Sequence, residues 1–161
     1  MRIFISICGI IALTVISQGK ALGETAIEEQ IMRHEDFRAK VFMGPEGATL
    51  IGYGRNIKDK GLTKAEALML LRNDIKECED DLHKIFGKLF FEMDSNRRMA
   101  LIDMRYTLGP GGFREFERMI GAIKAGNYSL AAKEMKDSRW YRQVGIRGKI
   151  LYNMMLKGDD K

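Results

Sequence analysis

The residues of this chain best suited to do chemistry lie between Arg33 and Asn56, in RHEDFRAKVFMGPEGATLIGYGRN. Glu35 falls at the expected end of a helix. A glycine-rich turn follows, then Ile51-Gly52-Tyr53-Gly54. A carboxyl fixed at a helix end can act as a general acid, and such chemistry commonly needs a second group opposite the first. The layout therefore reads as half of a two-group site. A glutamate in that position with no companion motifs is ordinarily a surface residue, so the rest of the chain decides its meaning.

Other reactive types offer less. His34 and His83 stand alone with no ligand spacing, and no metal site or cofactor box is expected. Of the two cysteines, Cys8 lies in the apolar leader and Cys78 on a helical apolar stripe, which predicts a buried structural thiol and no internal disulfide.

The elements that must position Glu35 follow from the apolar pattern. Thr25-Ala26-Ile27-Glu28 is a capping box, and Ile27, Ile31 and His34 share a face behind it. This predicts a helix of about three turns ending at Glu35 or Asp36. Residues 37–57 read as a hairpin turning near Gly44-Pro45-Glu46-Gly47. A second capping box, Thr63 to Glu66, opens a long helix. Its stripe is Leu68, Leu71, Ile75, Cys78 and Leu82, and Gly87 stops it. Further helices are predicted from Asp94-Ser95 to a stop at Gly109-Pro110-Gly111-Gly112, through Phe113–Ile123, from Ser129, and over Ile146–Leu156. The mixed-sign run Lys76–Asp81 reads as a solvated helix face.

The 161 residues, 45% hydrophobic and 30% charged, suffice for one domain with its own core. Ile3–Ser17 carries no charge over fifteen residues, after Met1-Arg2 and before the small residues near Ala21. That run is short for a bilayer span of ~20 residues and fits a secretory signal over residues 1–21, with an uncleaved membrane anchor as the competing reading. Residues 22–161 form the domain. Without the leader, 25 basic groups face 22 acidic ones, a net +3. This suits approach to an anionic polymer and is too weak to argue for nucleic acid.

Several motifs in order change the reading of Glu35. H-E-x-x-R-x-K-x-F, G-x-x-G and I-G-Y-G-R-N resemble the phage-type lysozymes (endolysins), glycoside hydrolase family 24. Gly61–Ala67 resembles the family's entry to its long helix, Arg97–Met104 its central helix, and Ser138–Gln143 with Arg147 its C-terminal motif. The resemblance covers roughly residues 27–157. It implies a mostly helical α+β lysozyme-like fold, with a small N-terminal β-hairpin and a C-terminal helical lobe. It also implies cleavage of the β-1,4 bond between N-acetylmuramic acid and N-acetylglucosamine in peptidoglycan, with no cofactor, and together with the leader the expectation is an exported (periplasmic or extracellular) monomer.

Carried over residue by residue, the resemblance makes Glu35 the general acid and Arg147 its supporting partner. It places Asp103 and Thr107 near the substrate, with a structural hydrogen bond the favoured role for Asp103. The family's aspartate and threonine positions, however, hold Gly44 and Leu50. Neither can hold or activate a water. Glu46, Thr49 and Asp36 are the available substitutes. Glu46 falls in the turn, Thr49 faces away from Leu50 unless the strand slips, and Asp36 would project about 100° from Glu35 on a helix. The sequence thus leaves three outcomes open. These are a lysozyme with weakened chemistry, a transglycosylase-like enzyme working through Glu35 alone, and an inactive lysozyme fold that binds peptidoglycan or scaffolds an envelope complex.

Overall fold

The structure, a computed structural model, describes residues 18–159. Residues 1–17, most of the leader predicted over residues 1–21, lie outside them, and no helix among the described residues is long and apolar enough to cross a membrane. The chain divides into two compact units, one ending at Thr63 and the other beginning at Lys64.

In the first unit, α1 (Gln18–Glu35) leads into a three-stranded antiparallel sheet of β1 (Arg38–Met43), β2 (Thr49–Gly52) and β3 (Arg55–Asn56), in that order. The short α2 (Ile57–Lys60) follows. α1 starts seven residues before the predicted Thr25 boundary. Nothing between Gln18 and Thr25 forces a stop: there is no proline, and Lys20, Ala21 and Leu22 are good helix formers. Its end falls where expected, because Asp36 turns left-handed at φ 48° and leaves the helix. The 100° separation expected of helical neighbours therefore does not apply to Glu35 and Asp36.

The predicted hairpin is present, but a third strand joins it. Gly52 (φ 66°) and Gly54 (φ 73°) adopt backbone values that side chains disfavour, and the turn they make sends Arg55 back to pair with Ile51. Between β1 and β2 the chain makes a single 3-10 turn, Pro45–Gly47, closed by the Gly44 N–H donating to the Ala48 carbonyl at 2.8 Å. Arg55 ties the sheet to the segment beyond, donating through Nε (3.2 Å) and Nη2 (2.9 Å) to the Gly61 carbonyl. Asn56 caps α2 by accepting from the Asp59 N–H at 3.1 Å.

The second unit is helical: α3 (Lys64–Phe86), α4 (Leu89–Glu92), α5 (Ser95–Arg114), α6 (Glu117–Lys124), α7 (Tyr128–Asp137), α8 (Arg139–Val144) and α9 (Ile146–Lys157). Its core gathers Leu82, Leu101, Met104, Phe113, Met119, Ile123, Met135 and Met155, all fully buried. Of the α3 stripe, only Cys78 and Leu82 belong to the buried set, while Leu68 and Leu71 lie outside this unit's core. Asp94, Asn127 and Ser138 cap α5, α7 and α8 by accepting from N–H groups three residues on, each at 3.0 Å. The α7 cap is thus Asn127, with the helix beginning one residue ahead of the predicted Ser129.

The predicted stop of α5 is confined to one residue. Gly109 breaks the helix at φ 70°, ψ 172°, and Pro110 then opens a final turn where its missing N–H costs nothing. Charged side chains bridge this break. Arg105, before it, donates through Nε to Asp81 Oδ2 at 2.7 Å, and Arg114, after it, pairs with the same carboxylate. Arg114 also donates to the Pro110 carbonyl at 2.8 Å. Asp81 and Arg105 are both buried. This corrects the solvated-face reading of residues 76–81: Lys76 and Asp80 are an exposed pair, but Asp81 sits between Cys78 and Leu82 on the inward stripe. Hydrogen bonds from Arg114, aided by those from Arg105, hold the Asp81 carboxyl below the usual range against the opposing effect of burial. Burial pushes the neighbouring Cys78 thiol up, so it is a poor nucleophile.

Candidate active site

Glu35 lies against the turn between β2 and β3, and the other candidates of the first unit lie at the β1–β2 connection. Glu35 is exposed at the last position of α1. Its carboxylate lies so close to Gly54 that a Cβ built there would come within 2.6 Å of Glu35 Oε2 and 3.2 Å of Cδ. The positive φ favours glycine at 54, and a side chain there would displace the Glu35 carboxylate.

Gly44 and Leu50 meet across the β1–β2 connection. A Cβ on Gly44 would lie 2.5 Å from Leu50 Cδ1. Leu50 is fixed from both sides, pairing with Phe42 on β1 and with Asn56 on β3. Thr49 pairs with Met43, one step along the strand from Leu50, and so lies on the other face of the sheet. Glu46 is exposed in the 3-10 turn in a left-handed conformation, φ 57°. Phe37 and Tyr53 pack ring against ring at 5.4 Å, with Tyr53 in the Gly52–Gly54 turn.

The remaining candidates sit in the second unit. Arg147, on α9, donates through Nε to Asp103 Oδ1 on α5 at 2.7 Å. Both are partly exposed, so the pair contributes well under ~1 kcal/mol. They border a groove of about 440 Å³ with Leu71, Ile75, Glu79 and Tyr106. Thr107 is exposed and donates back into its own helix, to the carbonyls of Asp103 (3.0 Å) and Met104 (3.1 Å). The Glu35–Arg147 partnership would join a residue of each unit and stays an expectation.

Two features of the site escape a reading of the sequence. Gly54 as the seat of Glu35 is one. Its only signal is the second glycine of I-G-Y-G, nineteen residues after the carboxylate. The contact between positions 44 and 50 is the other, and it depends on strand register, which one sequence does not fix.

The chain is similar to several known proteins. The chain is 27% identical to the pre-baseplate central spike protein Gp5 of Enterobacteria phage T4, over 83% of this chain and 28% of that protein. It is 23% identical to probable T4-type lysozyme 2 of Dictyostelium discoideum, over 83% of this chain and 95% of that protein. It is 24% identical to probable T4-type lysozyme 1 of the same organism, over 60% of this chain and 58% of that protein. It thus spans little more than a quarter of the spike protein. Residues 32–156 match the phage lysozyme family profile, a stretch that includes Glu35, the sheet and helices α2–α8, and the chain belongs to the phage lysozyme family.

Proposed function

We propose that the protein is an exported muramidase that cleaves the β-1,4 bond between N-acetylmuramic acid and N-acetylglucosamine in peptidoglycan, with Glu35 as general acid. At the family level it is a lysozyme-like glycosidase. The observation that carries the finer reading is the seating of the Glu35 carboxylate on Gly54. A carboxyl held by shape against bare backbone, at the mouth of a turn, is free to meet the leaving oxygen and give it a proton. Thr107 is a candidate sugar contact as a hydrogen-bond acceptor, since its own proton is used within α5. The mild positive charge of the chain favours approach to the anionic wall.

A second reading has its own support. With Gly44 and Leu50 in contact, the sheet presents no side-chain oxygen at either position, and a lysozyme fold that binds the wall without cutting it would have this appearance. The experiment that separates the two measures soluble fragments released from purified peptidoglycan by the protein and by Glu35→Gln, together with sedimentation of each with the insoluble wall. Release by the parent and none by the variant, with both still binding, supports the enzyme. Equal binding with no release by either supports the binder.

A further inference from the structure

Position 44 holds glycine although its backbone does not require it, since φ −92° and ψ −174° are extended values open to any residue. What stands in the way of a side chain is Leu50, whose side chain would have to shift to admit one. The Leu50 Cδ1 and Cγ would lie 2.5 Å and 3.1 Å from a Cβ at position 44, so the leucine fills the room where an aspartate would begin. Leu50 is in turn held in register by Phe42 and Asn56. Positions 44 and 50 are therefore one packed apolar unit and not two independent losses. Their neighbours do not replace the missing oxygens there. Thr49 lies on the opposite face, Glu46 is out in the turn, and the Asn56 amide is engaged with Asp59 at 2.7 and 3.1 Å.

Resting on the reading that Glu35 is the acid, we propose that the Leu50–Gly44 unit sets the outcome of the reaction. The glycosidic bond is broken by transfer to the sugar's own 6-hydroxyl instead of to water. Glu35 gives its proton to O4 of the departing N-acetylglucosamine as the C1–O4 bond breaks, while the carbonyl oxygen of the 2-acetamido group bonds to C1 from the far face. O6 then displaces that oxygen at C1, and the O6 proton passes to the Glu35 carboxylate, restoring the acid. No water is consumed, and the product ends in a 1,6-anhydro sugar. One carboxyl suffices because it acts twice in sequence. The competition between nucleophiles favours O6: a well-oriented intramolecular group reaches effective molarities of roughly 10⁵–10⁸ M, and water wins only where side chains hold and activate it. Leu50 here touches no reacting atom by necessity; it acts by denying water a seat.

The test is mass spectrometry of the muropeptides released from purified peptidoglycan by the protein, by Gly44→Asp, and by Gly44→Asp/Leu50→Thr. The parent is expected to give anhydro ends. The double variant is expected to shift the anhydro-to-reducing ratio towards reducing ends by about 10²-fold, the usual worth of one well-placed electrostatic group. Gly44→Asp alone is expected to shift it far less, because Leu50 blocks the side chain. Reducing ends from the parent overturn the transfer mechanism and leave Glu35 as the acid. No release by the parent overturns the enzyme reading and this inference with it. Hydrolysis by Gly44→Asp equal to that of the double variant overturns the packing link between the two positions. Should the double variant fail to fold, the end groups made by the parent still decide.

Discussion

The two units of this chain solve different problems. Among the described side chains of the first unit, none is fully buried. Its shape comes from backbone devices: a left-handed residue at the end of α1, a 3-10 turn, positive-φ glycines at 47, 52, 54 and 61, and hydrogen bonds from Arg55 to a carbonyl. The second unit has a core of leucine, methionine and phenylalanine, with a buried carboxylate gripped by two arginines. The proposed acid lies in the unit without a core. Changes in the first unit should thus move activity more than stability, and changes in the second the reverse.

The largest expected effect is from Glu35→Gln. Removing the acid should cost at least ~10²–10⁴-fold in fragment release. Because the side chain is exposed, the unfolding free energy should stay within ~0.5 kcal/mol of the parent in a urea titration. A large loss of stability would break the division between the units.

Asp81→Asn tests the other side. It leaves the buried Arg105 with only the exposed Glu77 carboxylate, at 3.1 Å, and breaking a buried pair costs up to about 3–5 kcal/mol. The urea midpoint should fall sharply. The same carboxylate gives a pH signature. Its folded pKa lies below the unfolded value, so its contribution is complete above the unfolded pKa and is lost as pH falls through the folded one. Parent stability should decline on acidification below the ordinary aspartate range, and the Asp81→Asn variant should decline less. Parallel curves would remove Asp81 from the account.

Gly54→Ala sharpens the comparison within the first unit. The new methyl would meet Glu35 Oε2 at 2.6 Å at a φ of +73°. Displacing the acid by about 1 Å can cost ~10²-fold in rate, with a backbone penalty of about 1–2 kcal/mol. Activity should fall further than stability accounts for, as judged by rates measured well below the melting midpoint. The smallest effect is from Glu46→Gly, which relieves a left-handed non-glycine residue at φ 57°. It should be neutral to about 1 kcal/mol stabilising, with fragment release unchanged. A loss of activity there would reinstate Glu46 as a participating carboxylate.

The sequence made the helices legible because apolar spacing and glycine breakers act locally. The end of α1 at Glu35 and that of α3 before Gly87 are such cases. The third strand was hidden because two residues carry no periodic pattern and only the Gly52 and Gly54 backbone angles create it. Asp81 was hidden among charges, since its inward direction depends on a partner 24 residues away. At the site, motif order identified Glu35, Gly44 and Leu50 as positions. It could not reveal that Leu50 occupies the space over Gly44, because that contact is set by pairing across strands.

Glu35, in a unit without a buried core, is proposed as the acid of a wall-cleaving enzyme. The direct measurement is the initial rate of soluble fragment release from purified peptidoglycan by parent and Glu35→Gln, with the urea midpoint taken on the same preparations. The expected result is release by the parent, loss of at least ~10²-fold in the variant, and matching midpoints. Equal rates from the two, or no release by a folded parent, would contradict it.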